Sequence, residues 1–260
     1  MTFDIETVVD NEPADGSFPP WPRHKPVAAA FLSASWTPTG YEFDLETLIN
    51  LPGLEPQFYQ RVDALLPDGP VGISYNGVGF DLSVLRISAM AAGCFGLSGL
   101  ARQAQAERFG SEHCDLADQF SKYGGTRRCS LAELCARLQI PVKTSTHGSE
   151  VGDLWRSGDI ESIAEYVRED VVATYILWLH WSAFRAHDES RIILPLDDLA
   201  TWLERTPKFA HLRAFAVCPP ARWARARAPA LRIARAQADA ERRVQREKTE
   251  RAFDREPAIF

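Results

Sequence analysis

The sequence of 260 residues lacks several patterns that would assign a protein to a class on their own. Its five cysteines are scattered with no C-x-x-C spacing, which argues against a disulfide framework and a cysteine-ligated zinc site. No apolar run approaches the roughly 20 residues of a membrane helix. The N-terminus has no basic segment followed by an apolar one, and no internal repeat is present. These absences predict a cytoplasmic protein with reduced thiols and no membrane partner.

Charge is unevenly distributed along the chain. The whole sequence has 29 Lys and Arg against 35 Asp and Glu, a net charge of −6. Residues 201–260 hold 14 of the basic residues and only 7 of the acidic ones, so the acidic excess lies in residues 1–200. A basic tail behind an acidic body either meets a polyanion or a protein partner, or docks onto its own body. The sequence leaves these alternatives open.

Strands come first and then alternate with helices, as in an α/β domain. Short apolar runs between turn residues predict strands over residues 2–9, 27–35, 41–48 and 70–75. Apolar residues at helical spacing predict helices over residues 55–66, 80–93 and 159–185, and Ser130 with Glu133 forms a capping box. Beyond residue 186 this pattern of apolar residues weakens. We therefore divide the chain into a domain of residues 1–185 and a basic, partly helical or disordered extension of residues 186–260.

The first chemically informative motif is Phe3-Asp4-Ile5-Glu6-Thr7. Residues i and i+2 of a strand point the same way, so Asp4 and Glu6 project together while Phe3 and Ile5 face the core. Two carboxylates on one side of a strand repel each other unless they are protonated or bridged by a cation. Hard divalent cations take oxygen ligands of this kind. Taken alone, the motif also fits a solvated acidic strand face.

Two further motifs place acids at structured positions. Residues 76–81, Asn-Gly-Val-Gly-Phe-Asp, join a predicted strand to a predicted helix, where Asp81 is either a helix cap or a functional acid. Tyr166 and Asp170 are four residues apart and therefore neighbours on one helical face. A phenol and a carboxylate held together can share a water molecule, although both also suit a solvated surface.

The order and spacing of the three motifs resemble the tyrosine-bearing subgroup of the DEDD superfamily of 3′–5′ exonucleases. Within it, the sequence is most similar to predicted exonucleases related to the proofreading domain of family B DNA polymerases. The resemblance rests on FDIETVVD, YNGVGFDLSVL, HCDLADQF and HGSEV…YVREDVVATY. It covers residues 1–182, and the segment after residue 186 lies outside it. It implies a ribonuclease-H-like α/β fold, with a mixed five-stranded sheet flanked by helices.

The resemblance also implies a reaction and the residues that perform it. The expected activity is hydrolysis of phosphodiester bonds at single-stranded 3′ ends of DNA or RNA, with DNA favoured, by two Mg²⁺ or Mn²⁺ ions. The implied metal ligands are Asp4, Glu6, Asp81 and Asp170, and the residue that orients the attacking water is Tyr166. The implied substrate contacts are Thr7, Asn76, Phe80, His147 and Ser149. The histidine subgroup would have its base at the position of Glu165, so the tyrosine subgroup is favoured.

Several of these assignments have structural alternatives. Phe80 also suits the core, and His147 a solvated loop. Arg127, Arg128 and Lys143 are candidates for phosphate contacts or ordinary solvated charges. For the whole chain, the alternative function is a catalytically silent nucleic-acid-binding or recruitment module with the same fold. The presence of all four acids and the tyrosine argues against that alternative.

Overall fold

The structure is a computed structural model that describes residues 1–11, 13, 17–66, 69, 71–106, 110, 112–142 and 149–253. Within these ranges it describes all side chains except those of Ser149 and of residues 247–253. Two residues with predicted roles, Lys143 and His147, lie outside the described residues.

Five strands form one mixed sheet in the order β3-β2-β1-β4-β5. The strands are β1 (Thr2–Val8), β2 (Lys25–Thr37), β3 (Gly40–Ile49), β4 (Gly72–Ser74) and β5 (His113–Asp115). Strands β1, β2 and β3 pair antiparallel, whereas β4 runs parallel to β1 and β5 runs parallel to β4. The motif strand β1 is therefore central, with neighbours on both edges. This topology confirms the predicted fold class, a mixed five-stranded α/β sheet of the ribonuclease-H-like kind.

Helices cover both faces of the sheet. In the described residues they are α1 (Glu55–Leu65), α2 (Asp81–Ala91), α3 (Ser98–Gln105), α4 (Leu116–Phe120), α5 (Leu131–Leu138), α6 (Ser149–Ser157), α7 (Ile160–Ala186), α8 (Ser190–Arg205), α9 (Arg213–Ala216) and α10 (Pro219–Phe253), with short 3₁₀ turns at Trp21–Arg23 and Pro207–Leu212. The predicted capping box of Ser130 and Glu133 opens α5, and Asp159 caps α7 by accepting a hydrogen bond from the Ser162 N–H, 3.2 Å away.

The two faces of β1 meet different layers. Phe3 and Ile5 are buried among residues of α1, α2 and α3, as the alternation predicted, and the Phe3 ring stacks on Phe31 with centroids 6.1 Å apart. The opposite face lies under α7, whose Val167 and Val171 are fully buried. A long helix that is apolar on most sides needs this central position to cover its surface. The face of β1 with Asp4 and Glu6 is therefore turned towards α7.

The C-terminal helices pack onto the same body. Leu196 and Leu203 of α8 are fully buried in the core that also holds residues of β2, β3 and α7. Helix α10 lies on α8, and Arg232 bridges Asp197 and Asp198 of α8 at 2.8 and 2.6 Å. At least part of the basic tail thus docks onto the acidic body. Whether residues 1–185 form a separate unit stays a prediction.

Within the described ranges, no helix combines the length and the apolar character that a bilayer span needs.

Candidate functional site

Three of the four predicted acids converge between β1 and α7. One oxygen each from Asp4, Glu6 and Asp170 lie within 4.8 Å of one another. The strand supplies two of them by alternation, and the helix supplies the third from a position directly before the buried Val171. Packing of the apolar neighbours therefore sets the separation of the acids.

The fourth acid, Asp81, joins this group from α2. Its side chain is buried, and its Oδ1 accepts a hydrogen bond from the backbone N–H of Ile5 at 3.1 Å. Its carboxyl group is also within hydrogen-bonding reach of Asp4. The alternative interpretation of Asp81 as a helix cap is wrong, because Phe80 occupies the cap position and Asp81 is the first helical residue. The structure thus brings all four predicted acids together.

Burial and mutual repulsion dominate the electrostatics of this cluster. Burial raises the pKa of Asp4 well above its usual range, and the charges of Asp81, Asp170 and Glu6 raise it further. Burial and the charges of Asp170 and Asp81 likewise raise the pKa of Glu6. Burial raises the pKa of Asp81 despite the hydrogen bond from Ile5. Divalent cations prefer hard oxygen donors of this kind. Because the raised pKa values keep protons on these carboxyl groups, a bound cation would replace those protons.

Tyr166 lies one turn before Asp170 on α7 and is half-buried. Its hydroxyl donates a hydrogen bond to Oε2 of Glu150 on α6, at 3.2 Å. Glu150 belongs to the HGSEV phrase, whose residues the family resemblance implies could touch phosphate or order the metal shell, and the resemblance gives Glu150 no separate role. The predicted substrate contact Ser149 precedes it at the start of α6, where its side chain is outside the described part of the chain.

The loop that leads to Asp81 is fixed by hydrogen bonds to the side chain of Asp115. Asp115, at the end of β5, accepts from the N–H groups of Asn76 and Val78 at 2.9 and 3.0 Å. Asn76 has a left-handed backbone with φ of 66°, which its short polar side chain tolerates. A Cβ atom at Gly79 would lie 2.7 Å from Asn76 Oδ1, so a larger residue there would have to displace the Asn76 side chain. Glycine at this position therefore allows close packing of the loop.

The Asn76 side chain is held by Arg128. The guanidinium donates to Asn76 Oδ1 at 2.6 Å and to the nearly buried Asp118 at 2.7 Å. Arg127 and Arg128 are both exposed, and Arg128 is in addition part of an ion pair beside the site. For both residues a phosphate contact stays a prediction.

Phe80 belongs to an aromatic group that the sequence did not predict. Its ring centroid lies 5.7 Å from that of Phe18 and 4.9 Å from that of His24, and Phe18 stacks on His24 at 4.9 Å. Thr7, next to Glu6, ties the group to β1 through a 2.8 Å hydrogen bond between its Oγ1 and His24 Nδ1. Phe80 also packs against the core, while Phe18 is 73% exposed. An exposed ring beside a carboxylate cluster offers a surface for an unpaired base.

Comparison with known proteins identifies the family. The sequence profile described as "Predicted 3'-5' exonuclease related to the exonuclease domain of PolB" matches residues 16–217. This span covers more than half of the chain, and the chain belongs to this family. The match includes Asp81, Tyr166 and Asp170, begins after β1, and extends beyond the predicted limit of the resemblance to include α8 and α9.

Among solved structures, the chain is similar to a family B DNA polymerase from the hyperthermophilic archaeon Pyrobaculum calidifontis. The two sequences are 17% identical, the TM-score is 0.49, and the match covers 83% of this chain. It spans only 26% of that polymerase. Among curated proteins, none matches this chain.

Proposed function

We propose that this protein is a metal-dependent exonuclease that hydrolyses phosphodiester bonds from single-stranded 3′ ends, preferentially of DNA. The observation that carries the proposal is the convergence of four acids from β1, α2 and α7, with Tyr166 one helical turn from Asp170. Family membership supports the direction of cleavage, and the geometry supports the metal dependence.

Asp4, Glu6, Asp81 and Asp170 would hold the divalent ions, Mg²⁺ or Mn²⁺. When bound, such ions neutralise phosphate charge and make the attacking water more acidic. The protein's own contribution is to hold four carboxylates in one place against their repulsion, through the hydrogen bond from Ile5 and the packing of α7 on β1. Tyr166 would orient the attacking water from the same face of α7.

The substrate would reach this site as a single strand. The outer face of Phe18 is open to an unpaired base, whereas bases inside a duplex are already stacked on their neighbours. Thr7 is linked to Phe80 through the ring of His24, and the Asn76 carbonyl accepts a hydrogen bond from the Phe80 N–H at 2.9 Å, so both residues would contact the terminal nucleotide. The relation of the family to a DNA polymerase domain favours DNA. A contact to the 2′-hydroxyl would be needed to select RNA.

The exposed part of α10 is the surface we propose for a further protein or nucleic-acid partner. Arg225 and Arg232 are engaged by acids of α8, whereas Arg243 is exposed further along the helix. This recruitment role is compatible with catalysis. The presence and clustering of the four acids argue against a catalytically silent module.

Cleavage of end-labelled oligonucleotides tests the proposal. Single-stranded DNA and RNA labelled at the 3′ or the 5′ end would be incubated with Mg²⁺, Mn²⁺ or EDTA. We expect stepwise shortening from the 3′ end, faster on DNA, abolished by EDTA and by Asp4→Ala and slowed by Tyr166→Phe. Asp153→Asn removes an exposed acid of α6 outside the cluster and serves as the matched control. If folded wild-type protein shows no metal-dependent cleavage, the exonuclease proposal is wrong and the silent binding module is the function that stands.

A further inference from the structure

The Tyr166 hydroxyl is held by a carboxylate outside the metal cluster. Its O–H donates to Glu150, which lies at the exposed start of α6. The acids whose oxygens converge are Asp4, Glu6 and Asp170, and Glu150 is not among them. Glu150 therefore contacts the tyrosine without being one of the proposed metal ligands, and any role it has in the reaction would act through Tyr166.

Buried neighbours set the separation of this pair. Val151 follows Glu150 and is 3% exposed, and Val167 follows Tyr166 and is fully buried in the same core. Helices α6 and α7 are joined by a short corner, in which the N–H of Asp159 donates to the Leu154 carbonyl at 2.9 Å. The carboxylate thus reaches the phenol because two packed helices present them to each other.

This hydrogen bond determines how Tyr166 can interact with a water molecule. A phenol has one hydrogen to donate and oxygen lone pairs that accept. When the hydrogen is given to Glu150, the phenol oxygen is left as an acceptor. A water beside it must then donate one of its own hydrogens to Tyr166, which turns the water oxygen away from the ring and towards another group.

We propose that Glu150 is a positioning residue that also receives the proton of the attacking water through Tyr166. The proposal rests on the exonuclease function above. As the bond between the water oxygen and phosphorus forms and the bond from phosphorus to the 3′ oxygen breaks, the water proton passes to the Tyr166 oxygen. The Tyr166 proton passes at the same time to the Glu150 carboxylate. The leaving oxygen takes a proton from solvent, and the exposed Glu150 returns its proton there.

Replacing the carboxylate by an amide separates proton acceptance from hydrogen bonding. Glu150→Gln can still accept the Tyr166 hydrogen bond but cannot take a proton, and Glu150→Ala can do neither. Asp153→Asn, an exposed acid on the same helix, is the control. Each change at Glu150 is also made in a Tyr166→Phe background. The readouts are the single-turnover cleavage rate and, independently, the Kd for a single-stranded oligonucleotide in EDTA.

We expect Glu150→Gln and Glu150→Ala each to slow cleavage about 10- to 100-fold, towards the lower range of general-base effects, with Kd unchanged within about 2-fold. In the Tyr166→Phe background, the same changes should alter the rate less than about 2-fold. A wild-type rate in Glu150→Gln would overturn the relay, and so would an equal loss in both backgrounds. If the wild-type protein shows no metal-dependent cleavage, the relay and the exonuclease function are both overturned. If only the relay is wrong, the wild type still cleaves, so the two failures are distinguishable.

Discussion

Replacement of Asp115 by alanine gives a stability change that can be worked out from individual hydrogen bonds. The buried carboxylate accepts three backbone N–H groups, from Asn76 at 2.9 Å, from Val78 at 3.0 Å and from Ala117 at 3.0 Å. The first two fix the loop that leads to Asp81, and the third caps α4. Asp115 therefore stabilises both the fold and the position of an acid in the cluster.

The alanine variant leaves these three donors without their acceptor. An unsatisfied buried donor costs about 1–3 kcal/mol, and loss of a helix cap about 1 kcal/mol. Because the loop is only partly buried, water can reach some of the N–H groups. We expect a loss of about 3–5 kcal/mol, a large share of the ~5–15 kcal/mol of a typical domain. Asp115→Asn keeps one acceptor oxygen but places an amide against the Val78 N–H, so about 1–3 kcal/mol is expected.

Urea unfolding measures both losses, and cleavage assayed below the unfolding transition measures the effect on Asp81. Asp239→Ala is the control, because this exposed acid of α10 pairs with Arg242 at the surface and should change stability by less than about 1 kcal/mol. A loss below about 1 kcal/mol for Asp115→Ala would refute the interpretation that its hydrogen bonds hold the loop. Normal cleavage in a clearly destabilised variant would refute the link to Asp81.

The remaining predictions concern protons, stacking and the tail. In the absence of metal, the raised pKa values of Asp4 and Glu6 mean that the folded protein binds more protons than the unfolded chain, so the free energy of unfolding should fall as pH rises above the ordinary carboxyl range near ~4. Added Mg²⁺ should therefore raise Tm more at pH 8 than at pH 5, and an equal rise at both values would contradict this. Phe18→Ala should weaken single-strand binding about 5- to 100-fold in a fluorescence titration, the value of one stacked base, whereas Phe95→Ala, also highly exposed, should not. Equal Kd values for the two variants would remove Phe18 from the substrate path. Deleting residues 236–260 should leave cleavage of short oligonucleotides within about 2-fold of wild type, since it spares the ion pairs of Arg232, and a large loss would place the tail in the reaction itself.

Local periodicity was sufficient to predict one part of the site. Alternation along β1 places Asp4 and Glu6 on one face, and helical spacing places Tyr166 and Asp170 on another. Both relations depend only on backbone geometry within a few residues. The mixed five-stranded sheet and the ligand set were implied by the resemblance to a family, not by the periodicity.

The other features of the site and of the fold depend on contacts between segments that are distant in the sequence. Whether Asp81 caps α2 or turns to β1 is decided by the Ile5 N–H, 76 residues earlier in the chain. The stacking of Phe18 near Phe80 arises from a proline-rich segment with no periodic pattern. The docking of Arg232 onto α8 shows, for this part of the tail, which of the alternatives left open by net charge applies. No local pattern contains these partners, so the sequence of a single segment could not identify them.

Titration of Mn²⁺ into the protein, followed by electron paramagnetic resonance, tests whether the cluster of Asp4, Glu6, Asp81 and Asp170 is a metal centre. We predict about two tightly bound ions per chain in the wild type and in Asp153→Asn. In Asp170→Asn, with folding verified by its thermal transition, at least one of these ions should be lost. Equal Mn²⁺ binding by Asp170→Asn and wild type would contradict the account.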